Sequence, residues 1–191
     1  MLLLGPIGLL LASLFYSPDI RYTLGRAGTR LGLALAGIRF KVMGVQYVQR
    51  SRGAVYCANH RSNIEPPVLF MSLMAIHPRL KAVYKAELRR VFPILRTAFD
   101  IANFVSIDRQ DREQSMRALH YAAQAVKAGD SFLIFPEGTQ NETDKLLPFK
   151  KGGFIMALTA QAPIVPIAIK GSQTAMGKGT FVIRPTTLDV T

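Results

Sequence analysis

At 191 residues and 21.1 kDa the chain is the size of one domain, long enough to enclose a core without disulfides or structural metal. A net charge of +12 on a chain that is 49% hydrophobic excludes intrinsic disorder and calls for an anionic partner: nucleic acid, phospholipid headgroups or a phosphorylated substrate. The single cysteine, Cys57, excludes an internal disulfide, and with no Cys/His cluster beside it no structural zinc or other metal site is expected.

The first sixteen residues, MLLLGPIGLLLASLFY, are apolar apart from Gly5, Pro6, Gly8 and Ser13. As a helix they would reach about 24 Å, short of a hydrocarbon core of about 30 Å. A cleaved signal would carry a basic n-region and a small-residue cleavage site, a pattern this run does not fit. After the capping sequence Ser17-Pro18-Asp19, a second stretch from Ile20 to Ile38 mixes Leu24, Leu31, Leu33 and Leu35 with Arg21, Arg26 and Arg30. Two apolar helices joined by a polar break predict a hairpin lying in one leaflet. Residues 1–37 are therefore read as an N-terminal hydrophobic membrane motif and 38–191 as an α/β domain. Between Asp19 and Glu65 there is no acidic residue, whereas Arg21, Arg26, Arg30, Arg39, Lys41, Arg50, Arg52 and Arg61 all fall there. Basic charge beside apolar helices predicts association with an anionic membrane leaflet. The plain alternative is a helix packed on the domain with a solvated basic rim.

From Ile38 onward short strand-like runs alternate with helical ones. Ile38, Phe40 and Val42 alternate with Arg39 and Lys41, the period of a half-buried strand. Further strands are expected at 54–58, 80–85, 103–107, 131–135, 164–169 and 180–183, and helices at 66–76, 88–99, 112–128 and 153–160. The alternation predicts an α/β fold with a largely parallel central sheet covered by helices.

The stretch Ala58-Asn59-His60-Arg61-Ser62-Asn63-Ile64-Glu65-Pro66-Pro67 carries the first chemistry. Five residues along a helix would turn His60 and Glu65 about 140° apart, so the loop has to pair them. Glu65 precedes a proline and is expected in extended backbone that turns its carboxylate back to the imidazole. A carboxylate on one ring nitrogen fixes the tautomer and leaves the other as a general base. By itself the pair is a weak motif, and a loop histidine satisfied by backbone is its bland alternative. Downstream, Phe104-Val105-Ser106-Ile107-Asp108-Arg109 ends one strand, Phe135-Pro136-Glu137-Gly138-Thr139 ends another, and Ile164-Val165-Pro166-Ile167 begins a third. Ligands gather beyond the carboxyl ends of parallel strands, so these blocks are expected to converge on one cleft.

Asn-His-x4-acid, Phe-Val-Ser-Ile-Asp-Arg, Phe-Pro-Glu-Gly-Thr and Val-Pro-Ile, in this order, resemble the four blocks of the glycerolipid acyltransferase superfamily, most nearly bacterial 1-acylglycerol-3-phosphate acyltransferases. The likeness runs from Ala54 to Ile169 and includes Phe149-Lys150-Lys151-Gly152-Gly153-Phe154. It implies transfer of an acyl group from acyl-CoA or acyl carrier protein to the sn-2 hydroxyl of lysophosphatidic acid, giving phosphatidic acid, with no cofactor beyond the acyl donor. His60 would be the base and Glu65 its orienting partner. Arg109, Glu137, Gly138, Thr139 and Lys151 would hold the acceptor, and Val165-Pro166-Ile167 would border the acyl or thioester side. Two positions depart from the family pattern. Glu65 stands where Asp is usual, and Gln140 where an Arg commonly follows Glu-Gly-Thr, with Lys150, Lys151 or Arg61 as replacement cations.

Other residues read plainly. Cys57 is expected as a packed thiol. Arg79, Lys81, Lys85, Arg89, Arg90 and Arg96 read as a solvated face, or alternatively as a contact for an anionic carrier or nucleotide. Two alternatives stand beside the leading function: acylation of glycerol 3-phosphate or another lysolipid, and a non-catalytic protein binding anions at a membrane surface. Scattered aromatics and the lack of a recognised motif set nucleic acid aside. Strand-like residues run up to Thr191, so a further C-terminal piece is compatible with the sequence.

Overall fold

A computed structural model of the chain describes residues 18–191, with residues 92 and 144 and the side chains of residues 18–22, 90–95 and 97 excepted. The first arm of the expected hairpin, with Ser17, lies outside the described residues. Its second arm is helix α1 (Pro18–Leu35), which ends at Gly37, whose φ of 68° turns the chain into strand β1 (Ile38–Val42). No described helix is long and apolar enough to cross a membrane.

The central sheet has five strands, all parallel, in the order β4-β3-β5-β2-β6. These are β2 (Val55–Ala58), β3 (Leu80–Lys85), β4 (Val105–Ile107), β5 (Ser131–Ile134) and β6 (Ile164–Ile167). Every residue of β5 is buried, as a parallel strand covered on both faces requires, which is why Phe132, Leu133 and Ile134 read as an apolar run, while Ser131 Oγ accepts from Ala54 N–H. One face packs on α2 (Glu65–Leu73) through Ile64, Val68, Leu69 and Leu73. The other packs on α5 (Arg112–Lys127) and α6 (Gly152–Ala160) through Leu119, Ala122, Ala123, Met156 and Ala157. Helix α6 lies so close to β5 that a Cβ on Gly153 would stand 1.8 Å from Ile134 Cδ1.

Three expectations are corrected. Strand β1 does not join the central sheet; it pairs with β8 (Thr186–Val190) in a second, three-stranded sheet completed by β7 (Ile169–Lys170). The run 164–169 is therefore two strands, parted where Ala168 exchanges backbone hydrogen bonds with Thr191. Residues 180–183 are irregular, and the strand lies further on, at β8. The helix expected over 88–99 is described as Leu88–Val91 (α3) and Pro93–Ile101 (α4), on either side of residue 92, which lies outside the described residues.

Both edges of the central sheet are protected. The Gln114 side-chain amide accepts from Asp108 N–H at 2.9 Å and donates to the Ser106 carbonyl at 3.0 Å, occupying the open side of β4 as a neighbouring strand would. Strand β6 carries Pro166, which a sheet edge tolerates.

His77 is 5% exposed, edge-on to Tyr56 at 5.7 Å, and its Nε2 has no hydrogen-bond partner among the described residues. Burial, helped by the Arg50 charge and opposed by a hydrogen bond with the Gln49 backbone, holds the imidazole below its ordinary value of 6.5. The folded state thus keeps His77 neutral where the unfolded chain takes up a proton. The stability this contributes is complete above about pH 6.5 and is lost as the pH falls toward the depressed value, by up to about 1.4 kcal/mol per pH unit. Urea titrations between pH 5 and 8 are expected to show a shallower acid limb for His77→Leu than for the parent.

Candidate functional site

The chain leaves β2 toward one face, through α2, and leaves the neighbouring β5 toward the other, through α6. Adjacent strands whose connections depart on opposite faces open a crevice at their carboxyl ends. His60 follows β2 and Glu137 follows β5, so the first and third sequence blocks face each other across that opening.

His60 Nδ1 lies 2.7 Å from Glu65 Oε2. The imidazole stacks on Phe135, ring centroids 4.1 Å apart, and its side chain is 17% exposed. Glu65 has no solvent exposure. Its carboxylate also accepts from Arg61 N–H, 2.9 Å to each oxygen, and from Ser172 Oγ at 2.5 Å. One expectation changes here: Glu65 is not in extended backbone ahead of Pro66 but is the first residue of α2, with the prolines in the first turn. Proline is tolerated there because its missing N–H has no intrahelical partner to lose. The pairing is made instead by the turn at 61–64, where Ser62 Oγ accepts from Ile64 N–H at 3.2 Å and donates to the Met176 carbonyl at 2.6 Å. The helix start adds its positive end to the carboxylate's surroundings. With Nδ1 donating to Glu65, Nε2 carries the lone pair.

Glu137 is 2% exposed and its carboxylate is fully engaged with the protein. Oε1 accepts from His60 N–H at 2.9 Å, and Oε2 from Asn141 Nδ2 at 3.0 Å and Leu147 N–H at 2.9 Å. Asn141 N–H in turn donates to the His60 carbonyl at 2.7 Å. Glu137 therefore ties the 139–147 loop to the backbone of His60, a positioning task. Gly138 has a φ of 74°, and a Cβ on it would come within 3.0 Å of an Arg109 guanidinium nitrogen. Arg109 thus reaches over the turn from the end of β4, two strands away, and makes no ion pair among the described residues. Thr139 and Lys151 are exposed, and Lys150 N–H donates to the Pro136 carbonyl at 2.7 Å, drawing the two lysines to the same turn. Gln140 donates its side-chain amide to Asn63 Oδ1, closing the space between the His60 loop and the Glu137 loop.

A cavity of about 920 Å³ begins beside the site at Asn59 and Pro136 and runs along β6 past Cys57, Phe149, Phe154, Val165 and Ile167. Its size is within the ordinary range for small-molecule sites. The fourth sequence block is thus its wall rather than a strand end. Burial pushes the Cys57 thiol up to about 11, which keeps it protonated and unreactive in that wall.

The basic run 79–96 is largely engaged within the protein. Arg79 and Lys81 each lie 2.6 Å from Asp130, and Arg89 binds Asp100 at 2.8 Å and Tyr84 Oη at 2.9 Å. The Arg90 side chain lies outside the described residues.

Ser172, in the short helix α7 (Ser172–Ala175), had no sequence signal: a serine more than a hundred positions from Glu65 becomes relevant only once β7 and β8 carry it there. Ser172→Ala leaves one carboxylate oxygen short of a donor in a buried site, at a cost of about 1–3 kcal/mol. Turnover is expected to fall with KM little changed, and Ser172→Thr to restore most of it.

Residues 39–170 match the family model described as Acyltransferase. The chain belongs to the acyltransferase family. It is 30% identical over 188 residues to a 1-acyl-sn-glycerol-3-phosphate acyltransferase of Limnanthes douglasii, covering 96% of this chain and 65% of that protein. It is 34% identical over 133 residues to the human 1-acyl-sn-glycerol-3-phosphate acyltransferase beta, covering 69% of this chain and 46% of that one. This family member therefore spans slightly under two thirds of the length of the plant relative. Among solved structures it is similar to the 1-acyl-sn-glycerophosphate (LPA) acyltransferase PlsC of Thermotoga maritima. The TM-score is 0.72 at 22% identity, over 97% of this chain and 75% of that one, a shared fold.

Proposed function

We propose that this acyltransferase moves an acyl group from a thioester, acyl-CoA or acyl carrier protein, to the sn-2 hydroxyl of lysophosphatidic acid, with no cofactor besides the donor. The observation that carries the reading is the His60–Glu65 pair, which follows directly on Asn59 in the wall of an apolar cavity, with Arg109 over the Gly138 turn. His60 Nε2 takes the hydroxyl proton as that oxygen attacks the thioester carbonyl, and Glu65 holds the ring and balances the imidazolium. The C–S bond then breaks and the thiolate leaves with the proton from His60, giving phosphatidic acid and a free thiol. Arg109, over the Gly138 turn with Thr139 and Lys151, holds the acceptor's phosphate through paired N–H donors, and the apolar cavity takes the acyl chain.

The site works at a membrane surface in this reading. Helix α1 turns Arg26, Ala27, Arg30, Leu31, Ala34 and Leu35 outward along one face, Leu31 and Leu35 more than half exposed. Apolar area plus arginines suits the anionic cytoplasmic leaflet of the inner membrane.

A mass-spectrometric product assay offering lysophosphatidic acid, other lysolipids and glycerol 3-phosphate with both donor types tests the proposal. Lysophosphatidic acid is expected to be acylated, and product only from glycerol 3-phosphate or from lysolipids without a terminal phosphate overturns the acceptor. Arg109→Ala is expected to raise KM for the phosphate-bearing acceptor about 10- to 100-fold, a loss of roughly 1.5–3 kcal/mol from a charged hydrogen bond, with KM for the donor unchanged.

A further inference from the structure

The loop from Met176 to Arg184 is closed and held, yet it turns the apolar side chains of Phe181 and Val182 outward. Its base is fastened by Arg184 N–H to the Ala175 carbonyl at 2.8 Å, with Met176 1% exposed and Ile183 packed on the main core. Inside the loop, Thr180 N–H bonds the Gly177 carbonyl at 3.3 Å and Val182 N–H bonds Thr180 Oγ1 at 3.0 Å. At the tip Phe181 is 78% and Val182 63% exposed. The fold gains little from burying either one.

The surroundings identify what would cover them. Between Lys170 and Asp189 the sequence has no acidic residue; Lys178, paired with Glu142, and the exposed Arg184 flank the tip. The far end of the loop meets the end of α1, where a Cβ on Gly37 would come within 2.8 Å of Pro185 Cβ, so the base of the loop adjoins the end of the helix that exposes Leu31 and Leu35. The near end meets the site: Met176 accepts from Ser62 in the His60 loop, and Lys178 lies 3.1 Å from Glu142 in the loop tied to His60.

We infer that Phe181 and Val182 form a second membrane contact, entering the headgroup–acyl boundary of an anionic leaflet beside α1. This rests on the reading of the chain as an acyltransferase acting at a membrane surface. A held loop loses little conformational entropy on insertion, apolar tips with basic flanks suit an anionic interface, and the contact lies one loop away from His60. The catalytic opening would then face the leaflet from which a lysolipid arrives, without the acceptor leaving the membrane.

The chain contains no tryptophan, so Phe181→Trp and Leu31→Trp each give a single reporter. The probe is phosphatidylcholine vesicles with and without phosphatidylglycerol, and with brominated chains for quenching. Indole emission from the Phe181→Trp variant is expected to shift to the blue on anionic vesicles and to be quenched by the brominated lipid. Phe181→Glu combined with Val182→Glu is expected to weaken vesicle partition by roughly tenfold per side chain or more. Acylation of a water-soluble, short-chain lysophosphatidic acid is expected to stay at the parent rate. Emission that ignores vesicles in Phe181→Trp but responds to them in Leu31→Trp overturns the second contact and leaves membrane association through α1 standing. Failure of the parent to float with vesicles overturns both, while turnover of the soluble acceptor would still support the chemistry. A blue shift that grows with protein concentration without lipid assigns the tip to self-association instead. Loss of soluble-substrate turnover in the double variant makes the loop part of the site and likewise overturns the inference.

Discussion

His60→Ala is expected to lower kcat for acyl transfer by about 10²- to 10⁴-fold, the range general-base catalysis contributes, with the melting temperature close to the parent's. The ring is only partly buried and its principal bond is to Glu65, so its removal leaves a space open to solvent rather than a closed cavity. A product assay on purified His60→Ala with full parental activity would exclude the mechanism and return the chain to the role of a non-catalytic anion binder. Glu65→Gln separates orientation from charge. It keeps the length but brings an amide NH2 against donors that both oxygens now satisfy, so activity is expected to fall nearly as far as in His60→Ala, and stability with it.

Glu137→Ala is expected to be the more damaging change to the protein as a whole, although its carboxylate faces no open part of the site. Three donors lose their acceptor at once: the backbone N–H of His60, the Asn141 side chain and the backbone N–H of Leu147. Each unsatisfied buried donor costs about 1–3 kcal/mol, so a destabilisation of roughly 3–5 kcal/mol is expected after partial relaxation. Activity should fall by two orders of magnitude or more, because the 139–147 loop and the His60 main chain lose their common anchor. Glu137→Gln should rescue only part of this, since in either amide orientation an NH2 group opposes a donor. Denaturant melts alongside kcat and KM check this: parental stability with a raised acceptor KM alone would move Glu137 from positioning to substrate contact.

These expectations rest unequally on sequence and structure. Residues 54–170 showed their strand and helix alternation in composition alone, since buried parallel strands are largely apolar, as Phe132, Leu133 and Ile134 of β5 are. The His60 and Glu65 types were equally legible, as was the Pro-Glu-Gly-Thr turn. What failed were statements about partners. Nothing in Ile38–Val42 says that its neighbour is Thr186–Val190 rather than the central sheet, because a strand's periodicity encodes which face is buried and not who sits at its edge. Residues 180–183 read as a strand by composition, yet Phe181 and Val182 face solvent.

By itself, then, the sequence determined the α/β class, the residue types that make up the candidate site and the coincidence of basic charge with apolar helix. These are properties of local pattern and composition. The tertiary structure alone decided that Ser172 completes the Glu65 shell, that Glu137 is committed to the His60 backbone, and that Arg109 crosses from β4 to the Gly138 turn. Each of those is a contact between side chains or loops set side by side by strand order. Strand order follows from how helices share the two faces of the sheet, a global packing solution that no local window contains.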